Sequence, residues 1–338
     1  MKDKPKLATM ADVAKLAGVS SMTVSRALKP ETSVSKATRD KIQKAADDLG
    51  YVLDTRASEF SSGRSGFVAV TIPSINNGNF ADTVKALSDV LAKNDLQVLL
   101  GYSNYHVDRE EQLITQLLKK RPEAIIVTGG VHTDRCRNLL ENSGIPVVET
   151  WDIPENPVDQ VVGFSNAYAA ELMIEHFIKQ GHTKIGFIGG DNSRDSRGRD
   201  RYEGFCKTLE KHGLDASRIS FQEQSPFSME PGVNGLKHIL KEWPDTHAIM
   251  CVSDPVAFGA VTECKRLDLS VPDTIAIGGF GAYELGLFSN PSITTIDVGA
   301  ALIGQLAAEK IVDLLSDSRR ESNKVVQTKP RLIKRQSA

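Results

Sequence analysis

The chain predicts an all-α helix-turn-helix headpiece followed by an α/β core of two doubly wound parallel-sheet subdomains. Three observations predict it. Residues 9–28, TMADVAKLAGVSSMTVSRAL, carry the start and stop signals of two short helices around a tight turn. Charge divides the chain at the same place. The first 66 residues hold 12 Lys and Arg against 8 Asp and Glu, a net +4, which leaves −6 for the rest of a 338-residue chain whose total is −2. From Gly66 onward, apolar strand-like runs alternate with helical stretches, the signature of parallel α/β units.

In the headpiece, Thr9 caps a first helix and Asp12, three residues on, completes a capping box at the helix's positive end. Gly18 stops that helix. Ser20 caps a second one in which Ser21, Met22 and Arg26 face outward, while Val13, Ala17, Val19, Val24 and Leu28 form the apolar set that joins the pair. The hydroxyls of Ser20, Thr23 and Ser25 suit a surface pressed against phosphates. This is the shape of a major-groove DNA reader, with Arg26 placed for a bidentate guanine contact and Ser21 and Met22 for the neighbouring bases. A third amphipathic helix starts at Ser35, turns Ile42, Ala45, Ala46 and Leu49 to one face, and ends at Gly50.

After Tyr51 the run VLDTRASEFSSGRSG reads as a linker, so the headpiece spans 1–53, the linker 54–65 and the core 66–338. Residues 55–61 could form two helical turns, too few to persist without a partner surface. In the core, FVAVTI, a helix from about Phe80, QVLLGYS, a helix from about Asp108, AIIVT, a further helix and PVVE make one unit. The second unit runs VVGF, NAYAAELMIEHFIKQG, KIGFIGG, YEGFCKTLEKHG, ISFQE, a helix over 232–241, AIMCV, PVAFGAVTECKRL and IAIGGF. A cleft between two such subdomains is where open α/β sheets place ligands.

Catalysis finds no support. The glycines at 189 and 190 lack G-x-G-x-x-G spacing, and no Walker sequence, H-E-x-x-H pair or G-x-S-x-G elbow occurs. Cys136, Cys206, Cys251 and Cys264 are scattered without CxxC pairing, so no disulfide framework, metal site or cofactor is expected. With no signal-like stretch and no run long enough to span a membrane, a cytoplasmic location is expected.

The string D-V-A-x-x-A-G-V-S-x-x-T-V-S-R occupies residues 12–26, V-S-x-x-T-R follows at 34–39 and L-G-Y at 49–51. With these three pieces the chain resembles the lactose-repressor family of bacterial transcription regulators. The resemblance extends through the core, in I-E-H-x-x-x-x-G-H (174–182), V-P (271–272) and T-T-I (294–296). It implies a homodimer on a pseudo-palindromic operator, a small-molecule effector in the cleft, and a core similar to periplasmic sugar-binding proteins. In that core the chain crosses three times between subdomains, expected near Gln160, Pro291 and Asn323, so that 66–160 and 292–322 form one subdomain and 161–291 and 323–338 the other. The resemblance also implies a hinge helix in the linker, with Ala57 and Phe60 at the DNA and Phe60 in the place of a minor-groove wedge. The family's Pro-Asn after the tyrosine is here Leu53-Asp54. A chain ending at Ala338 without a leucine-heptad tail is expected to stop at the dimer.

For the effector, Phe80 matches a position whose ring lies against the ligand, with packing on its own subdomain as the alternative. Arg201 matches an arginine that grips hydroxyls or carboxylates, a role Arg197 or Arg199 could also fill. Where sugar-binding members carry an aspartate after the aromatic of the last core strand, Gly281 follows Phe280. Where many have Asn-Asp, Ser253-Asp254 stands. Loss of an acceptor from the cleft fits an anionic effector. Within the family the chain is most similar to gluconate-utilisation repressors, through M-T-V-S-R (22–26), P-S-x-x-N with Phe (73–80), H-T-x-R (132–135), I-P-V-V-E (145–149), V-G-F-x-N (162–166) and E-C-x-R-L (263–267). That likeness adds Thr128, His132 and Glu149 to the expected cleft residues and implies a sugar acid or phosphorylated sugar as effector. A sugar-binding module without a regulatory role would need the core alone, and the headpiece opposes it.

Overall fold

A computed structural model describes residues 8–28, 34–52, 64–190, 193–222, 228–316 and 324–338. Contacts divide the chain into two compact units, Met1–Arg64 and Ser65–Ala338.

The first unit contains helices α1 (Met10–Ala17), α2 (Ser21–Ala27) and α3 (Lys36–Leu49). Their ends follow the local chemistry. The Thr9 hydroxyl accepts the Asp12 N–H while the Asp12 carboxylate accepts the Thr9 N–H, closing the capping box in both directions. Ser20 and Ser35 cap α2 and α3 by accepting the N–H groups of Thr23 and Thr38. Gly18 (φ 64°) and Gly50 (φ 60°) take the left-handed conformation that lets Val19 and Tyr51 donate back to Ala14 and Ala46, so both helices stop in Schellman turns. Val13, Ala17, Val24, Ile42, Ala45 and Ala46 are buried together. Leu49, expected on the same face, is exposed instead. The turn at Gly50 ends the helix there and returns Tyr51 to the apolar cluster in its place.

The second unit holds two parallel sheets. The first has the order β11-β5-β4-β3-β1-β2, from β1 (Phe67–Ile72), β2 (Gln97–Tyr102), β3 (Ala124–Thr128), β4 (Val147–Thr150), β5 (Gln160–Gly163) and β11 (Val325–Gln327). The second is β7-β6-β8-β9, from β6 (Ile185–Gly189), β7 (Ile219–Phe221), β8 (Ala248–Cys251) and β9 (Ala276–Gly278). β10 (Thr295–Asp297) pairs antiparallel with β12 (Arg331–Ile333) and touches β9 through a bridge from Thr294 to Gly278. The helices are α4 (Gly78–Ala92), α5 (Val107–Leu118), α6 (Asp134–Glu141), α7 (Asn166–Lys179), α8 (Ser196–Lys211), α9 (Glu230–Glu242), α10 (Asp254–Arg266), the short α11 (Glu284–Leu287) and α12 (Ala300–Leu315). None of the described helices is long and apolar enough to cross a membrane.

The subdomain boundaries differ from those expected. VVGF, read as the opening strand of the second unit, is β5 of the first sheet, so the chain leaves that sheet after Gly163 and not at Gln160. β10 stays with the second subdomain, which moves the next crossing from Pro291 to beyond Asp297. β11 pairs with β5, which puts the last crossing between Gln327 and Arg331, whereas Asn323 lies outside the described residues. The cause is common to all three. Each segment before a crossing is a strand that completes hydrogen bonds with the sheet it is leaving, and strand periodicity carries no label for which sheet that is.

Close backbone approach fixes the helix pairs. A Cβ on Gly304 would lie 2.1 Å from the Thr83 carbonyl oxygen of α4, and Thr83 Oγ1 donates to the Ala300 carbonyl at 2.9 Å. Between α9 and α10, a Cβ on Gly232 would meet the Val256 carbonyl oxygen at 1.9 Å, and one on Gly259 the Met229 carbonyl oxygen at 1.9 Å. Because the obstacle is backbone in both cases, no rotamer change can relieve it. Gly259→Ala is therefore expected to destabilise the core by roughly 1–3 kcal/mol or more, read as a lower midpoint in urea unfolding. An unchanged midpoint would mean that α9 and α10 separate freely.

Candidate functional site

The first unit presents one polar surface on α2. Val24 and Ala27 are buried, which turns Ser21, Met22 and Arg26 outward, and Met22 is 66% exposed in spite of its apolar side chain. Ser20 Oγ and Thr23 Oγ1 are 2.9 Å apart, and Thr23 and Ser25 are half-buried beside them. An exposed methionine next to an arginine and a row of hydroxyls is a poor solvent face. It matches the mixture that base edges and phosphates require. The hinge residues Ala57 and Phe60, with Leu53 and Asp54, lie outside the described residues.

In the second unit, the ends of strands from both sheets meet at a cleft. From the first subdomain come Asn77 and Phe80 after β1, Tyr105 after β2, Thr128 at the end of β3 and Trp151 after β4. From the second come Asp195, Arg197 and Arg201 after β6, Ser253 after β8, and Phe280 and Tyr283 after β9. All sit at C-terminal strand ends, as the rule for open α/β sheets requires. The cleft has an inner chamber, lined by Asn77, Phe80, Trp151, Asp195, Arg201, Ser253, Phe280 and Tyr283, and an outer one, lined by Ser103, Glu110, Thr128, Arg194, Arg197 and Arg199. Tyr105 and Arg197 belong to both. Their free volumes are about 20 and 70 Å³.

Aromatic rings frame the inner chamber. Phe80 meets Trp151 edge-on at 5.0 Å, Trp151 meets Phe164 at 6.0 Å, and Phe164 lies 6.1 Å from Phe280. The Arg201 guanidinium stacks 4.3 Å above the Phe280 ring, and Arg197 stands 5.9 Å over Phe80. Trp151 adopts a left-handed backbone (φ 69°), a costly conformation for an aromatic residue of the kind that gathers at functional sites.

The polar groups here are incompletely paired. Arg201 donates to Asn166 Oδ1 at 2.7 Å and stands 3.6 Å from Asp195 Oδ2, while its Nε has no hydrogen-bond partner among the described residues. Among the same residues both carboxylate oxygens of Asp195 lack hydrogen bonds, as does Trp151 Nε1. Asp195 is 4% exposed and Arg201 5%, so water does not serve them freely. Unmade bonds of this sort cost about 1–3 kcal/mol each, more for charges. Two buried guanidiniums, Arg197 and Arg201, face one carboxylate.

The second subdomain touches the first across the cleft, where Arg197 donates to the Thr128 carbonyl at 3.3 Å and Tyr283 reaches Asn77. Tyr283 Oη donates to Asn77 Oδ1 at 2.5 Å. The Tyr283 ring fills the space a side chain at 281 would need, since a Cβ there would be 2.3 Å from the ring and 2.6 Å from the Asn79 amide, and Gly281 has φ 113°. Glycine at 281 thus has a packing and backbone cause, which replaces the effector-charge explanation drawn from the sequence.

Three expected cleft residues are placed elsewhere. Asp254 is fully buried behind the chamber, accepting the Thr295 hydroxyl at 2.6 Å and the Tyr283 N–H at 2.8 Å, so it holds the Tyr283 loop without facing a ligand. His132 and Glu149 lie inside the first subdomain. His132 Nδ1 is 2.6 Å from Glu110 Oε2 and its Nε2 is 3.5 Å from Glu149 Oε1. Burial alone would lower the imidazole's pKa. Hydrogen bonds with Cys136, Glu110 and Glu149 outweigh it and push the pKa up to about 11, so the ring is cationic with its charge already spent on carboxylates. Phe80, Arg201, Ser253 and Phe280 do line the inner chamber and Thr128 the outer. Ser253 also caps α10, and Thr128 Oγ1 donates to the Thr71 carbonyl. Reading the sequence missed Trp151, Asp195, Asn77 and Tyr283. The run DSRGRDR reads as a solvated loop, yet α8 begins at Ser196 and buries Arg197 and Arg201, four residues apart, on one face.

Residues 9–54 match the model of bacterial regulatory proteins of the lacI family, and residues 174–338 match a periplasmic binding protein-like domain. The HTH-type transcriptional regulator GntR of Escherichia coli (strain K12) is 31% identical over 309 residues, covering 91% of this chain and 92% of that protein. The chain belongs to the lacI family. The HTH-type transcriptional regulator IdnR of the same organism is 30% identical over 318 residues, covering 94% and 95% of the two chains. A crystal structure of a lacI-family transcriptional regulator from Silicibacter pomeroyi superimposes with a TM-score of 0.92 at 32% identity, covering 98% of this chain and 99% of that one. This lacI-family member is accordingly a DNA-binding transcriptional regulator with a periplasmic-binding-protein-like core.

Asp254 gives this core a pH signature. Burial raises its pKa to about 7, against about 3.9 for an unfolded aspartate. The folded core therefore holds this proton more tightly than the unfolded chain. Its contribution to stability is complete below pH 4 and is lost as pH rises through about 7. Asp254→Asn is expected to flatten the fall in melting temperature between pH 4 and 7.5, and an identical slope in the variant would assign the titration to another group.

Proposed function

We propose that this lacI-family member is a homodimeric repressor acting in the cytoplasm, released from a pseudo-palindromic operator when a sugar acid such as gluconate, or a phosphorylated relative, binds its cleft. The observation that carries the reading is the charge of the inner chamber. Among the described residues Arg197 and Arg201 outnumber Asp195, whose two oxygens have no hydrogen bonds there. A polyol carboxylate answers both demands, with hydroxyls for Asp195 and an anion for the arginines. A neutral sugar leaves one guanidinium uncompensated. The resemblance to gluconate-utilisation repressors points to the same ligand class. With about 20 Å³ free inside, entry of such a molecule requires the Tyr283–Asn77 bond to open. Because that bond joins the two subdomains, ligand binding changes how they close. Operator and effector affinities are then reciprocally coupled.

At the operator, two copies of α2 enter successive major grooves and Arg26 reads a guanine. Binding is expected to weaken steeply with salt. Arg26→Ala is expected to cost about 1–3 kcal/mol and to flatten discrimination at one base pair per half-site. Binding titrations against a panel of single-base operator variants check this. Uniform weakening at every position would make Arg26 a phosphate contact.

For the effector, calorimetry with gluconate, 6-phosphogluconate, glucose and ribose is the test. The acids are expected to bind and the neutral sugars to bind poorly. Arg201→Ala is expected to weaken the acids by ten- to a hundredfold, the loss of a charge-assisted hydrogen bond worth about 1.5–3 kcal/mol, while operator affinity without effector stays unchanged. Glucose or ribose binding as tightly as the acids, or an Arg201→Ala variant with unaltered affinity, overturns the assignment.

A further inference from the structure

Three side chains of different donor type converge in the first subdomain. Glu110 extends from the first turn of α5. His132 directly precedes Thr133, the cap of α6, and Thr133 Oγ1 accepts the Cys136 N–H at 3.0 Å, which brings Cys136 round to the side of His132. The Glu110 carboxylate, His132 imidazole nitrogen and Cys136 thiol lie within 4.8 Å of one another. All three side chains are buried. Behind the ring, His132 Nε2 faces Glu149 Oε1 at 3.5 Å, and neither atom has another hydrogen-bond partner among the described residues. Glu149 is itself fixed, because its other oxygen accepts the Val158 N–H at 2.6 Å.

We propose that Glu110, His132 and Cys136 form a binding site for a divalent transition-metal ion of the zinc class, with Glu149 as the carboxylate that orients the histidine. One nitrogen, one sulfur and one oxygen donor suit a borderline ion such as Zn²⁺ or Co²⁺ and not Mg²⁺ or Ca²⁺, which take oxygen ligands. A metal-bound imidazole with a carboxylate on its far nitrogen is the usual outer-shell arrangement, and here the carboxylate is already in place. The 2.6 Å contact between His132 Nδ1 and Glu110 Oε2 holds a proton where the ion would sit.

The exchange balances. Without metal, two carboxylates and an imidazolium give −1, with Cys136 a neutral thiol. Binding M²⁺ expels the Nδ1 proton of His132 and the thiol proton of Cys136. The Nε2 proton remains directed at Glu149. Two carboxylates, a thiolate and a dication again give −1, so the ion replaces two protons at constant charge. Three protein ligands leave one position of a tetrahedral ion for water. Glu110 also lines the outer chamber, which supplies a way in and sets the ion in the wall of the cleft. Bound there, it would tie α5 to α6, and through Glu149 to β4.

The test is a titration of the metal-free full-length protein with CoCl₂. One equivalent per chain is expected to bind, with a near-ultraviolet thiolate-to-cobalt charge-transfer band that ZnCl₂ abolishes by displacement. Cys136→Ser is expected to lose the band and Cys206→Ser to keep it. Glu149→Gln is expected to weaken Co²⁺ binding by 10- to 100-fold while the band persists. X-ray absorption of the Zn²⁺-loaded wild type, which does not depend on any variant folding, is expected to show one sulfur among nitrogen and oxygen donors. No charge-transfer band, or an all-nitrogen and oxygen shell such as the His182–His247 pair would give, with its Nδ1 atoms 3.0 Å apart, overturns the site and leaves the cluster a hydrogen-bonded ion triad.

Discussion

The core's cleft hangs on the buried carboxylate of Asp254. Seated at the first turn of α10, it accepts the Thr295 hydroxyl from β10 and the Tyr283 N–H from the loop after β9. That loop would otherwise be free to vary. Held at this point, it makes Gly281 turn left-handed, presses the Tyr283 ring into the inner chamber and carries the tyrosine hydroxyl across to Asn77 in the other subdomain. The small chamber volume and the Tyr283–Asn77 bond across it both follow from one acid with no solvent exposure. Its raised pKa is the energetic mark of that burial.

Around this anchor the two subdomains differ in how well their polar groups are satisfied. In the first, Glu110 and Glu149 hold His132 between them in the wall of the outer chamber. In the second, α8 brings Arg197 and Arg201 to a face shared with Asp195, whose carboxylate makes no hydrogen bond among the described residues. Unsatisfied buried groups lower stability, and a ligand that satisfies them recovers the loss only in the closed, native cleft. Such a site converts ligand chemistry into a preference between conformations, which is what a regulator needs.

The reading unit solves a different problem. With 64 residues, Met1–Arg64, it has little apolar surface to bury, so its helix ends carry more of the burden. Reciprocal capping at Thr9 and Asp12, hydroxyl caps at Ser20 and Ser35, and two glycine Schellman turns fix where each helix begins and ends. Caps of this kind contribute about 0.5–2 kcal/mol each. They also set the rotation of α2, and therefore which side chains it exposes.

Much of this was legible in the sequence because it is written locally. The caps, the stops, the apolar faces of α1 to α3 and the alternation of strand and helix depend on residues within a few positions of one another, and a short string read for spacing recovers them. So does the family, whose signature lies in the same headpiece. Phe80, Arg201, Ser253 and Phe280 were expected from the family resemblance, and in the structure they line the inner chamber at strand C-terminal ends. Tertiary structure alone decided that β5, β10 and β11 belong to the sheets they pair with, that Asp254 supports the site from behind, and that His132 pairs with Glu110 and Glu149. It also decided that Trp151, Asp195, Asn77 and Tyr283 converge. The reason is physical: burial and partnership of a polar group depend on what the rest of the chain brings against it, and residues as far apart as Asn77 and Tyr283 meet only after both sheets have formed.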